Sequence, residues 1–159
     1  QLGSAHLRSG EQLVRRWFNA ASLTRAASAG GQIAVTADPA SRAVQALVRG
    51  DAAAWATREL AERRETALPP VVRSAQISGR QGRVEEFVKA CAFPSAWRLL
   101  GPTPQLNSVG TQPGAQAVVL TPTAEGPLLA ARIKAALAAD AAGSGTDRVS
   151  VRLDPLSAL

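Results

Sequence analysis

One arginine among small residues is the first candidate for phosphate chemistry in this sequence. The segment FNAASLTRAASAGG, residues 18–31, is typical of a helix end that runs into a Gly-Gly turn, with Arg25 near its centre. A guanidinium in such a place can bind a phosphate, or it can be an ordinary solvated charge. The residues alone favour the solvated charge, because Gly30-Gly31 lacks the GxxxxGK[ST] or GxGxxG context of a nucleotide-binding loop.

A second candidate is a group of basic residues in the last third of the sequence. Arg148 and Arg152 alternate with apolar residues in RVSVRLDP, which predicts a strand with both arginines on the face away from the core. We expect them to form a phosphate-binding surface with basic residues of the neighbouring helix and of a neighbouring strand, namely Arg132, Lys134 and Arg98. Solvation alone would also account for these charges. The net charge of +6 permits nucleic-acid binding, although no basic run concentrates it.

The other reactive residue types do not assemble into a predicted catalytic or metal site. The one histidine, His6, and the one cysteine, Cys91, are too few for a structural zinc site or a nucleophilic triad. Cys91 falls on the apolar side of its helix, which predicts a buried thiol. Glu85 and Glu86 are helix neighbours that point in different directions, so we expect both to be solvated. The sequence therefore predicts no catalytic residue and no metal site.

The first 66 residues are predicted to contain three helices and a single strand. The strand is QIAVTA, residues 32–37, and Asp38-Pro39 after it is typical of a helix start. A single strand cannot form a stable sheet, so residues 1–66 are expected to be the edge of a larger α/β domain. In that case the rings of Trp17 and Phe18 in the first helix are expected to be partly exposed.

A domain boundary is predicted at Leu68-Pro69-Pro70, because two prolines cannot continue a helix. Residues 67–159 then have the pattern strand, helix, strand, strand, helix, strand. This order predicts an α+β ferredoxin-like domain, an antiparallel sheet with two helices on one face. The second strand is expected to stop at Gly101-Pro102, with a polar loop over residues 103–114.

Four stretches together carry a family resemblance that covers nearly the whole chain. They are GGQIAVTADPASRAVQALVRGD (30–51), ELAERRETALPPVVRSAQISG (59–79), LLGPTPQL (99–106) and RVSVRLDPLSAL (148–159). In this order and spacing they resemble the primosomal protein N′ (PriA) family of bacterial replication-restart helicases. The resemblance implies that residues 1–66 are a remnant of a RecA-like C-terminal helicase lobe. It also implies that residues 67–159 are the family's ferredoxin-like C-terminal domain.

The resemblance places most of the family's chemistry outside this chain. The ATP-binding P-loop and the zinc-binding cysteines of the family would lie upstream, so neither ATP nor zinc is expected as a cofactor here. A Gly-Arg-Ala-Gly-Arg motif, whose arginines reach the ATP γ-phosphate in the family, corresponds to SLTRA, residues 22–26. Both glycines are replaced, and only Arg25 lies within one position of a motif arginine. The resemblance therefore implies a degenerate nucleotide contact at Arg25 and a chain without ATPase activity of its own.

The expected function is DNA binding in replication restart and primosome assembly. Forked or single-stranded DNA is the expected partner, together with single-stranded-DNA-binding protein and primosome components. One alternative is the C-terminal part of an active ATP-dependent 3′→5′ DNA helicase. Another is a ferredoxin-like RNA- or protein-binding module unrelated to that family. No apolar run approaches the ~18 residues of a membrane span, so we expect a cytoplasmic protein with no membrane partner.

Overall fold

The computed structural model describes residues 8–106, 113–142 and 147–155, which belong to two compact units. The first unit ends at Glu65 and the second begins at Thr66. Helices α1 (Ser9–Ala21), α2 (Arg42–Arg49) and α3 (Ala52–Glu65) form the first unit. The second unit contains β1 (Val72–Arg80), α4 (Gln81–Cys91), β2 (Arg98–Leu106), β3 (Pro113–Pro122), α5 (Gly126–Ala142) and β4 (Ser150–Leu153). Within the described ranges, no helix has both the length and the apolar character that a membrane span needs.

The helices of the first unit bury a small apolar cluster. Residues one turn apart on α1 share a face, so the apolar residues of its sequence meet α2 and α3 on one side. The buried members are Leu13, Val14 and Ala43, and the rings of Trp17, Phe18 and Trp55 pack against them. Trp17 and Phe18 remain partly exposed, as the sequence predicts.

Two predictions for the first unit are wrong. Residues 32–37 form no strand, because a strand needs a hydrogen-bonded neighbour and residues 8–65 contain no other strand. Helix α2 begins at Arg42 rather than at Asp38-Pro39, because Asp38 closes a turn instead. Its Oδ1 accepts the N–H of Ala40 at 2.9 Å, and its carbonyl oxygen accepts the N–H of Ser41 at 3.0 Å. The RecA-like lobe stays a prediction.

The second unit is built on a four-stranded antiparallel sheet with the strand order β2-β3-β1-β4. The predicted order β-α-β-β-α-β and the predicted α+β character are confirmed. Both helices cover the same face of the sheet, because they share one core cluster with alternate residues of β1 and β3. The most buried members of this cluster are Ala75, Ile77, Val84, Ala115, Ala117, Val119 and Leu129.

The other face of the sheet, here called the second face, follows from the alternation of side chains along each strand. Ala75 and Ile77 of β1 point to the helices, so the residues between them and their cross-strand partners point away. The second face includes Ser74, Gln76, Ser78, Arg80, Arg98, Leu100, Thr103, Gln116, Val118, Leu120, Ser150 and Arg152. Its central residues Ser74, Val118 and Leu120 are buried, whereas Arg98 and Arg152 on the outer strands are exposed.

Strand β2 continues past Gly101-Pro102, where the sequence predicts its end. Its pairing with β3 is interrupted after Leu100 and resumes at Thr103. Gly101 permits this irregularity, since its φ is +88° and a Cβ there would lie 2.6 Å from the carbonyl oxygen of Gln116.

The polar loop predicted over residues 103–114 is described only in part. Residues 103–106 and 113–114 belong to β2 and β3, so the prediction of a loop is wrong for these positions. Residues 107–112 lie outside the described residues.

Asp154 fastens the end of β4 to the central strand β1. Its N–H donates to the carbonyl oxygen of Ser74 at 2.8 Å, and its Oδ1 accepts the N–H of Ser74 at 2.8 Å. Its Oδ2 lies 2.7 Å from Nη2 of Arg73. The φ of Asp154 is +44°, a left-handed conformation that Asp and Asn adopt more readily than most residues. The side chain of Asp154 therefore extends the hydrogen bonding between β1 and β4 beyond the strand itself.

Replacing Asp154 with alanine should destabilise the second unit by about 1–2 kcal/mol, because the N–H of Ser74 loses its acceptor. Asp154→Asn should cost less, since its amide oxygen can accept the same N–H and asparagine tolerates the positive φ. Urea unfolding followed by circular dichroism measures both effects. An alanine variant as stable as the parent would show that the side chain does not hold β4.

Candidate nucleic-acid interface

Arg25 lies in the tight turn that follows α1. A short 3-10 helix, Ala27–Ala29, ends at Gly30 with a φ of +77°. The N–H of Gly31 donates to the carbonyl oxygen of Ala26 at 3.1 Å, and a Cβ on Gly31 would lie 1.9 Å from the carbonyl oxygen of Arg25. Glycine is therefore required at position 31, and the Gly-Gly pair is a turn, as the sequence predicts. The side chain of Arg25 is exposed, and its contact with a nucleotide stays a prediction.

Three arginines of the second unit form ion pairs with carboxylates. The pairs are Arg73 with Asp154 at 2.7 Å, Arg80 with Asp147 at 2.6 Å, and Arg83 with Glu86 at 2.5 Å and with Asp140. Each carboxylate cancels much of the field of its arginine at a distance. A formal count of positive charges therefore overstates the attraction that this unit exerts on a phosphate.

Arg148 and Arg152 differ from those arginines because no carboxylate of the described residues pairs with either of them. Both are exposed, and Arg152 lies opposite Gln76 on the second face. Val149 is buried in the core, which places Arg148 on the outer side of the chain. The predicted exposure of both arginines is confirmed. Leu153, which the sequence places on the apolar side, is 49% exposed because it lies at the end of an edge strand.

Arg132 and Lys134 lie on α5, on the other side of the sheet from Arg152. Arg132 donates to the carbonyl oxygens of Cys91 at 3.4 Å and of Ala92 at 2.6 Å. These carbonyls lie at the C-terminal end of α4, where the helix itself supplies no donors, so Arg132 caps α4. Lys134 is exposed. The structure therefore does not bring Arg132 and Lys134 together with Arg152 on one face.

The prediction that Arg98 lies on a strand next to Arg148 and Arg152 is wrong. Its strand, β2, is at the opposite edge of the sheet from β4, with β3 and β1 between them. Three strand spacings correspond to about 14 Å. Nη2 of Arg98 donates to the carbonyl oxygen of Ala67 at 3.2 Å, and Nη1 lies 3.5 Å from the carbonyl oxygen of Thr66.

The buried thiol predicted for Cys91 is confirmed. Cys91 is 3% exposed, and burial raises the pKa of its thiol to about 11, although the positive charge of Arg132 acts in the opposite direction. A thiol with this pKa remains protonated and a poor nucleophile near neutral pH. Within the described ranges, no three His, Cys, Asp or Glu residues are grouped so that they could hold a metal.

Two groups that position charged side chains were not found from the sequence. Asp154 holds Arg73, and the Asp-Pro pair after an alternating strand was the available signal for a special turn residue. The carbonyl oxygens of Thr66 and Ala67 hold Arg98. Backbone acceptors have no sequence signature, so only the structure could find that second contact.

Comparison with known proteins connects this chain to replication-restart proteins. The family model described as "Primosomal protein N C-terminal domain" matches residues 64–156. The "Probable replication restart protein PriA" of Mycobacterium leprae (strain TN) is 36% identical over 162 residues, which cover 98% of this chain and 25% of that protein. The proteins of the same name from Mycobacterium tuberculosis (strain CDC 1551 / Oshkosh) and Mycobacterium bovis are 40% identical over 105 residues. That match covers 64% of this chain and 16% of each relative.

The chain spans a quarter or less of the length of these relatives. The family match covers more than half of the chain and includes every described residue of the second unit. The order of the strands and helices in that unit agrees with the order that the resemblance implies. The chain therefore belongs to the PriA family and contains its C-terminal domain.

Proposed function

We propose that this chain is a DNA-binding part of a replication-restart protein and that it contacts DNA phosphates through Arg148 and Arg152. One observation carries the proposal: both arginines are exposed and free of carboxylate partners among the described residues, unlike Arg73, Arg80 and Arg83. The names of the relatives support DNA as the partner. A cytoplasmic location, where the bacterial chromosome lies, is part of the same proposal.

Binding should depend on phosphates rather than on bases. Bases bind single-strand proteins chiefly by stacking on exposed aromatic rings. The aromatic rings of the second unit pack in the core instead. Phe87 and Trp97 are buried, and the ring centroids of Phe93 and Trp97 are 5.7 Å apart. The indole N–H of Trp97 is also used, because it donates to Glu125 at 2.5 Å. Arg148 and Arg152 therefore supply charge without sequence readout.

The proposal assigns ATP hydrolysis and DNA unwinding to residues of the complete protein outside this chain. ATP and zinc would be bound there, and single-stranded-DNA-binding protein and primosome components are the proposed protein partners. An active 3′→5′ helicase in the complete protein remains compatible with a DNA-binding C-terminal part. Membership of the PriA family contradicts the alternative of a module unrelated to that family.

The purified 159-residue chain should show no ATP hydrolysis above background, with or without single-stranded DNA. Its sequence contains neither a GxxxxGK[ST] loop to bind the phosphates of ATP nor a complete arginine motif to stabilise the transition state. Phosphate release measured with a full-length PriA protein as positive control tests this expectation. DNA-stimulated hydrolysis by the chain itself would refute the assignment of the motor to other residues.

Replacing Arg148 and Arg152 together with alanine should weaken DNA binding to a similar degree for every base sequence. Each lost phosphate contact should reduce the slope of log K against log salt by roughly 0.7 on single strands. Fluorescence anisotropy with labelled thymidine and mixed-sequence oligonucleotides at several salt concentrations measures both quantities.

A matched control removes the same charge from the helix side of the second unit. Lys89 and Lys134 are exposed on α4 and α5, so the double alanine variant also lowers the net charge by two. It should bind DNA more tightly than the arginine double variant does. Equal losses in both variants would show that only net charge matters, and an unchanged affinity of the arginine variant would exclude Arg148 and Arg152 as the DNA contact.

A further inference from the structure

Arg98 is oriented by contacts that do not neutralise its positive charge. Arg73, Arg80 and Arg83 are fixed by carboxylates, which orient them but also neutralise them. Arg98 is instead held by two neutral carbonyl oxygens, and no carboxylate within the described ranges forms an ion pair with it. An exposed guanidinium that is oriented and still fully charged is suited to bind an anion.

The contacts of Arg98 leave donors free for a second partner. A guanidinium carries five N–H donors, and the two described contacts use one on Nη1 and one on Nη2. A phosphate needs two N–H groups, so it can bind while the carbonyls stay in place. Because an arginine side chain loses rotamer entropy when it is fixed, prior fixation by the carbonyls lowers the entropic cost of binding that phosphate.

The segment that holds Arg98 is itself held on the second unit. It connects α3 to β1, and we call residues 66–71 the joining segment. The N–H of Val71 donates to the carbonyl oxygen of Leu68 at 3.1 Å, and the hydroxyl of Thr123 donates to the carbonyl oxygen of Val71 at 2.8 Å. Ala67 has a φ of +49°, a left-handed conformation unusual for alanine. This conformation sets the direction of the carbonyl that faces Arg98.

We propose that the joining segment positions Arg98 for a DNA phosphate, so that DNA affinity depends on the backbone conformation of Ala67. Ala67 is a positioning residue, because it acts through Arg98 and touches no DNA itself. The contact at Arg98 is separate from that of Arg148 and Arg152, about 14 Å away across the sheet. The inference rests on the proposed function, because it takes the anion to be a DNA phosphate.

Two substitutions of Ala67 test this dependence without changing any charge. Ala67→Val should weaken binding of a labelled thymidine 20-mer about 3–10-fold, because a β-branched residue disfavours positive φ and turns the carbonyl away from Arg98. Ala67→Gly is the matched control, since glycine adopts positive φ freely and should keep the parent affinity within about two-fold. Circular dichroism checks that both variants retain the parent's secondary structure.

A double-mutant cycle separates positioning of Arg98 from any other effect of the valine. Arg98→Ala should itself lower affinity, and adding Ala67→Val to it should lower affinity no further. The salt slope should fall by a similar amount in Ala67→Val and in Arg98→Ala, because both lose the same phosphate contact. A full additional loss in the double variant would overturn the proposal, since the valine would then act independently of Arg98.

The outcomes also distinguish this inference from the proposed function. If the parent chain binds the 20-mer and Ala67→Val binds it equally well, the positioning role is wrong while DNA binding stands. The same conclusion follows if Arg98→Ala binds like the parent. If the parent does not bind the 20-mer at low salt, the proposed function fails and the role of Arg98 fails with it.

Discussion

The central position of strand β1 is the constraint on which the rest of the second unit depends. It pairs with β3 on one side and with β4 on the other, and its residues Ala75 and Ile77 are fully buried under the helices. Because side chains alternate along a strand, this burial decides the face of every residue paired to β1. A slip of one residue would turn Arg152 toward the core. The register that buries Ile77 is thus also what keeps Arg152 in contact with water.

Local sequence patterns predicted the helices and strands of the second unit well, because each pattern depends only on residues that are close together in the sequence. The alternation around Ile77 and the helical spacing of Val84 and Phe87 need no information from elsewhere in the chain. Long-range features were not predictable in this way. Residues 32–37 have the composition of a strand but lack a strand to pair with, and the position of Arg98 at the far edge from Arg152 follows from strand order alone.

For the candidate site, too, the sequence predicted the exposure of side chains but not their long-range contacts. Exposure of Arg148 and Arg152 follows from alternation with Val149, whereas the role of Arg132 as a cap of α4 depends on how two helices pack. The arginines of the second unit thus have three different environments: they pair with a carboxylate, they bind backbone carbonyls, or they face solvent. These environments differ in how much charge remains available to a ligand, and a formal net charge does not distinguish them.

The pairing of β1 with β4 also has a consequence for the synthesis of the chain. Ala75 pairs with Leu153, so one edge of the central strand stays without its neighbour until more than seventy further residues have been made. An unpaired strand edge is a template for wrong pairing with other chains, and translation at 5–20 residues per second leaves it open for several seconds. The antiparallel partner β3 is completed earlier and covers only the other edge. Synthesis of the residues between β1 and β4, rather than the folded state, is thus the stage at which this edge of β1 is most open to wrong pairing.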